Sequence, residues 1–210
     1  MHKELDEEGR DLLFRTARSH NDWLDRAVPD ETLRQLYELM KWAPTSANAC
    51  PARVVFLRTP EAKERLVPAL SPGNVTKVRN APVTAVVAYD LNFHAWMPVL
   101  FPHNPDMRNH FANNGVLSEE TAKRNSTLQG AWLMMAARAL GLDCGPMSGF
   151  DAAKVDAEFF GARCVGEAAG SIFPGGDIRT NFLCNLGYGN PTALLQRLPR
   201  LEFGQACALL

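Results

Sequence analysis

No apolar run in this 210-residue chain approaches the ~18–20 residues that a bilayer-spanning helix needs, which excludes a transmembrane segment. A disulfide framework is also missing. The five cysteines, Cys50, Cys144, Cys164, Cys184 and Cys207, are odd in number and scattered, with no C-x-x-C pair. That pattern points to reduced thiols in a cytoplasmic protein, and away from a structural zinc site. Charge of one sign is lacking too: a net charge of −1 gives no global attraction to nucleic acid or an anionic membrane. The opening residues, Met1-His2-Lys3-Glu4-Leu5-Asp6-Glu7-Glu8, lack the apolar core of a secretory signal. Repeats and low-complexity stretches are absent. What is present, 46% hydrophobic and 21% charged residues, is the composition of one ordinary globular domain spanning residues 1–210.

Hydrophobic periodicity places the elements. A helix is expected over Leu5–Ala17 with Leu12 and Leu13 on its apolar face. A second should start at an Asp30 cap and bury Leu33, Leu36, Tyr37 and Met40 in one stripe. Val54-Val55-Phe56-Leu57 reads as a strand buried on both faces. Thr59-Pro60-Glu61 has the chemistry of a helix start. Residues 68–82 read as a Pro/Gly-interrupted connection, and Pro82–Tyr89 as a second strand. The longest helix is expected from a Ser118 cap to about Leu140, with Gly130 marking a close approach and Gly141 stopping it. Residues 143–151 read as a tight loop, with Asp151 capping a helix and Phe150 stapled to Val155. Residues 161–178 are expected to form a loose surface loop, and Asn181–Tyr188 a third strand.

Several segments carry candidate chemistry. Pro44-Thr45-Ser46-Ala47-Asn48-Ala49-Cys50-Pro51 is a rigid polar loop that either connects elements or lies against a flat or anionic ligand. Arg18-Ser19-His20-Asn21 is a solvated helix end or an anion site, since a guanidinium forks onto phosphate oxygens. Asn74-x-x-Lys77 puts an amide and an ammonium on one side of a turn. The long stretch 90–117 mixes Phe93, Trp96, Phe101 and Phe111 with His94, His103, His110 and Arg108. It reads as an aromatic lid or a surface loop, and the histidine spacing matches no metal-ligand motif. Cys50 is either a redox-active or an inert thiol.

In this order and at these intervals, Arg18-Ser19, Pro44-Thr45-Ser46-x-Asn48-x-x-Pro51, Asn74-x-x-Lys77, Gly141 to Asp151 and Arg197-x-x-Arg200 resemble the FMN-dependent nitroreductase family. The branch they look most like is the malonic semialdehyde reductases associated with pyrimidine degradation. Lys41-Trp42-x-Pro44-Thr45-Ser46-Ala47-Asn48, Gly145-Pro146-Met147-Ser148-Gly149-Phe150-Asp151 and Arg197-Leu198-Pro199-Arg200-Leu201 carry that closer match. The resemblance implies a nitroreductase-like α+β fold, with a central mostly antiparallel sheet surrounded by helices. It also implies an intertwined homodimer with two FMN sites at the subunit interface.

Residue by residue, the resemblance implies that Arg18, Ser19, Arg197 and Arg200 hold the FMN phosphate and ribityl chain. Pro44, Thr45, Ser46 and Asn48 line the ring system, Ser46 and Asn48 serving the partner's flavin. Asn74 and Lys77 address its N1/O2 edge, and Pro146, Met147, Ser148 and Gly149 lie beside its face. Asn21 occupies a position where many members have a second cation. Ser148 replaces a common Glu, which suits an anionic substrate. NADPH or NADH is the implied reductant, hydride passing through flavin N5 without a catalytic side chain or a metal. The first expectation for the acceptor is malonic semialdehyde (3-oxopropanoate), reduced to 3-hydroxypropanoate, with Arg108 or His103 anchoring its carboxylate. A broad nitroreductase or quinone reductase, a non-catalytic flavin protein and a metal hydrolase built on the three histidines are the alternatives.

Overall fold

A computed structural model describes residues 3–161, 173 and 176–210, so most of the expected 161–178 loop, with Cys164, lies outside the described residues. Four strands form one antiparallel sheet: β1 (Ala52–Leu57), β2 (Val83–Asp90), β3 (Asp143–Met147) and β4 (Ile178–Gly187), in the order β1-β2-β4-β3. Every residue of β2 is buried, as its unbroken apolar run requires at the sheet centre. The equally apolar β1 is an edge strand, half-buried except at Leu57, which corrects the expectation of burial on both faces. β3 is a strand where a tight loop is expected. Its Pro146 is tolerated because an edge strand need not donate on both sides.

The helices are α1 (Glu7–Arg10), continuing into a π-helical turn Asp11–Arg15, then α2 (Asp30–Met40), α3 (Pro60–Leu66) and α4 (Pro72–Asn80). The apolar face expected near the N-terminus is left open: Leu5, Leu12 and Phe14 are 52%, 48% and 58% exposed. Asp30 is the first residue of α2, not its cap, and its carboxylate pairs with Arg58. Leu33, Leu36 and Met40 are buried as expected, but Tyr37 is not. Thr59 caps α3, its Oγ1 accepting from Ala62 N at 3.2 Å. The expected 68–82 connection contains α4, with Pro72 in the first turn. Lys63 Nζ closes its far end by donating to the Arg79 and Ala81 carbonyls, each at 2.8 Å.

Residues 93–112 form a 3₁₀ turn (Phe93–Trp96), α5 (Met97–Leu100) and α6 (Met107–Ala112), in place of an irregular lid. Phe93, Met97 and Phe111 are buried there with Tyr89 and Ala122. α7 (Gly115–Ala139) begins at an Asn114 cap that accepts from Leu117 N at 3.1 Å. Ser118, expected as that cap, is instead inside the helix and donates to Leu91 O. A Cβ on Gly130 would lie 2.5 Å from the Phe182 ring, so the close approach is to the sheet. Gly141 stops the chain at φ +75°. α8 (Ala152–Phe159) is capped by Asp151, with Phe150 and Val155 in one apolar cluster, and α9 (Phe203–Ala206) lies in an exposed tail. No helix among the described residues is long and apolar enough to cross a membrane.

One side chain in the 93–112 unit is placed at an energetic disadvantage. His94 Nδ1 is buried without a partner. Burial, with the Arg108 charge, pulls the imidazole below the usual histidine value of 6.5, against an opposing effect of Asp90. As pH falls through 6.5 the unfolded chain takes up this proton first, so stability present above that pH is lost below it. His94→Gln is expected to flatten the decline of melting temperature between about pH 7.5 and 5.5. An unchanged slope would remove His94 as its source.

Candidate functional site

β3 joins most of the segments singled out in the sequence. At its start, Ser19 bridges Cys144 in parallel, and His20 N donates to Cys144 O at 2.9 Å. Beyond its end, Gly149 O accepts from Asn74 Nδ2 and from Ser71 N, both at 3.0 Å. A Cβ on Gly149 would sit 2.8 Å from Asn74 Nδ2, so the glycine permits this approach. Lys77 Nζ donates to Asn74 Oδ1 at 3.3 Å, one helical turn away. Asn185 Nδ2 donates to Lys77 O at 3.0 Å and its Oδ1 accepts from Thr84 Oγ1 at 2.6 Å, which fastens α4 to the sheet. From Cys144 to Gly149 the chain covers ~17 Å at ~3.3 Å per residue.

The C-terminal segment returns to the first of these groups. Arg18 donates to Leu195 O, and Arg197 Nη2 donates to Ala17 O at 2.9 Å. Arg18, Ser19, Asn21, Asn190 and Leu195 help line a recess of about 90 Å³ there. Arg200 is not brought in: it donates to its neighbours' carbonyls, Leu198 O and Pro199 O, each at 3.0 Å. Arg10, Arg15, Arg53, Arg58, Arg65, Arg79 and Arg179 all have carboxylate partners. Among the described residues, Arg18, Lys77, Arg197 and Arg200 have none, as is also true of Arg26, Arg34, Arg108, Arg124 and Arg138 elsewhere. Ser148 and Gly149 also keep their backbone N–H groups out of any described hydrogen bond. Pro146 and Ser148 border an open cavity of about 310 Å³ with Thr127, Ala131 and Phe182. Met147 borders the same cavity while its side chain packs with Val86 and Leu183.

The 44–50 loop stands apart. Ala47, Asn48 and Cys50 adopt φ of 49°, 50° and 43°, a left-handed backbone that side chains resist. Ser46 N donates to Asn125 Oδ1 at 2.8 Å and Ala52 N to Gln129 Oε1 at 2.9 Å. Asn48 Nδ2 donates to Leu100 O at 2.9 Å, and Thr45 Oγ1 accepts from Cys50 N at 3.2 Å. Asn125 and Gln129 are buried one turn apart on α7. Sequence reading missed both, although two amides four residues apart in an otherwise core-facing helix are a legible sign of a braced neighbour. None of the loop's hydrogen bonds among the described residues reaches the segments along β3. The Cys50 thiol is half-buried and donates to Asn48 Oδ1 at 3.4 Å.

His103 and Arg108 lie exposed on the 93–112 unit, the His103 ring 3.9 Å from that of Phe101. His94 and His110 each stack on a phenylalanine of their own. Among the described residues no three His, Cys, Asp or Glu side chains gather as metal ligands.

Known proteins resemble this chain over most of its length. The model of the Nitroreductase family matches residues 15–170. HadB of Ralstonia pickettii, provisionally named an NADH dehydrogenase/NAD(P)H nitroreductase, is 53% identical over 199 residues, 94% of this chain and 95% of HadB. Two solved structures share the fold over the whole of both chains. A provisionally assigned nitroreductase from Exiguobacterium sibiricum, in complex with FMN, is 17% identical with a TM-score of 0.78. A provisionally assigned NAD(P)H:FMN oxidoreductase from Staphylococcus epidermidis is 16% identical with a TM-score of 0.79.

Proposed function

The chain belongs to the nitroreductase family, and on that premise we propose that it is an NAD(P)H-dependent FMN oxidoreductase acting as a homodimer. One observation carries the reading. Cations without carboxylate partners stand at both ends of β3, Arg18 and Arg197 at its start and Lys77 beyond its end, where the Ser148 and Gly149 N–H groups are also idle, about a flavin nucleotide's length apart. The donor set fits the cofactor. A guanidinium has five N–H donors, and Arg18 and Arg197 each spend one of theirs on a single carbonyl, leaving the rest for a phosphate. Ser19 and Asn21 add polar groups beside them, and Arg200 is a mobile-length side chain close in sequence. Bound FMN supplies hydride acceptance and donation at its N5.

Lys77, its ammonium held by Asn74 Oδ1, would put a positive charge beside the bound ring and so favour its anionic reduced form. The Pro146–Gly149 backbone offers N–H donors, from Ser148 and Gly149, beside the ring. Asn125 braces the 44–50 loop at Ser46 N, and none of the loop's described hydrogen bonds reaches the segments along β3; we take Pro44, Thr45, Ser46 and Asn48 to line a flavin ring, Ser46 and Asn48 that of the partner subunit in the homodimer. The half-exposed Leu5, Leu12 and Phe14 supply apolar surface for that association.

For the acceptor, 3-oxopropanoate is the first choice. Ser148 brings no negative charge to the cavity, and Arg108 and His103 offer exposed partners for a carboxylate. A broad nitroarene or quinone reductase is the second, favoured by the 53% identity to HadB. Anaerobic mixing of the yellow protein with NADH or NADPH is expected to bleach the flavin, and each acceptor is then scored by the rate at which colour returns. Yellow colour that neither nicotinamide bleaches would reduce the protein to a flavin carrier. If the aldehyde acid restores colour fastest, Arg108→Ala is expected to raise its KM by ~10-fold, the worth of one charge-assisted hydrogen bond. An unchanged KM removes Arg108 as the anchor.

A further inference from the structure

We propose that His20 is the positioning residue of the phosphate-binding turn, a buried peg that fixes how Arg18, Ser19 and Asn21 face the cofactor. This inference rests on the reading of Arg18 and Ser19 as phosphate ligands. His20 is 6% exposed, while Ser19 and Asn21 on either side are open to solvent. The chain alternates outward and inward as a strand does, so whatever fixes His20 aims its neighbours outward.

Three features fix it. Its backbone N–H donates to Cys144 O at 2.9 Å. Its Nε2 lies 3.4 Å from Asp143 Oδ1, and the other oxygen of that carboxylate accepts from Gly189 N at 2.9 Å. Finally, both surfaces that receive it lack side chains. A Cβ on Gly189 would fall 2.0 Å from His20 Nδ1, and one on Gly145 would fall 2.3 Å from the His20 carbonyl oxygen. The turn, β3 and the segment leaving β4 therefore close around one imidazole. An apolar side chain of the same size would fill the notch but leave Asp143 Oδ1 without the imidazole beside it. The residue borders the recess, but its ring is held against Asp143 and Gly189, so its role is to seat the turn that carries Arg18 and Ser19.

Riboflavin provides the test, since it shares the ring system and ribityl chain of FMN and lacks the phosphate. Flavin-stripped full-length protein is titrated with each, and the ratio of the two dissociation constants is read. The wild type is expected to prefer FMN by ~100-fold or more, and His20→Ala and His20→Phe to cut that preference at least ~10-fold with riboflavin affinity nearly unchanged. Should His20→Ala not fold, His20→Phe, which keeps the ring volume, and Asp143→Asn, which keeps the ring in place, carry the comparison. Variants that retain the wild-type ratio, or that lose both ligands equally, overturn the role of His20 and leave the flavin reading standing. A wild type that does not distinguish the two ligands overturns the phosphate reading itself, and this inference with it.

Discussion

Arg18→Ala is expected to lower FMN affinity by ~100-fold, the largest effect of any single side-chain removal in this protein. Two losses combine. A charge-assisted hydrogen bond to phosphate contributes about 1.5–3 kcal/mol, and each ~1.4 kcal/mol is a factor of ten. The same guanidinium also donates to Leu195 O, so its removal frees the segment that carries Arg197. Fluorescence titration with FMN measures the effect, and Arg34→Ala, an exposed arginine on α2, serves as the control. Affinity within threefold of the wild type would falsify the assignment of Arg18 to the phosphate.

The second large effect falls on stability. Gly145→Ala adds one methyl group, yet its Cβ would meet the His20 backbone oxygen at 2.3 Å and Trp23 Cζ2 at 3.3 Å. The first of these atoms is main chain and has no rotamer to yield. Relief requires the turn to move off β3 and to strain or break the His20 N to Cys144 O bond. Overpacking and the lost bond together are expected to cost about 2–4 kcal/mol, or a melting temperature lower by ~5–15 °C. Gly73→Ala is the matched control, because nothing lies within 4 Å of its Cβ and α4 gains a better helix former. A Gly145→Ala protein that melts with the wild type would mean that the turn is not seated on β3 as described.

Local chemistry was legible in the sequence at three helix ends, and misled at Asp30 and Ser118, where another residue takes the cap position. Thr59, Asp151 and Gly141 act within three residues of themselves, and each ends or begins a helix where its chemistry says it should. Elements decided by distant partners were not legible. Asp143–Met147 looks like a loop because Gly145 and Pro146 are poor strand formers, and only pairing with β4 makes it a strand. Pro72 and Gly73 look like breakers until Pro72 is seen in a first turn. β1 is apolar enough to be central, but strand order puts it at an edge, and order is not written in periodicity.

The site divides in the same way. The strings around Arg18, Ser46, Asn74, Ser148 and Arg197 could be named from the chain alone. Asn125 and Gln129 hold residues 79 and 77 positions away, so no local pattern reveals what they brace. His20 was read as part of a polar cluster, and its fit between Gly145 and Gly189 appears only when the three segments meet.

The two bonds that tie Arg18 and Arg197 to distant segments also have a consequence for folding. Arg18 to Leu195 and Arg197 to Ala17 span 177 and 180 positions of sequence. Each bond closes a loop of that length, so it must offset the loop's entropy and depends on the sheet between its partners being in place. A substitution that loosens the sheet is therefore felt at this recess, far away in sequence.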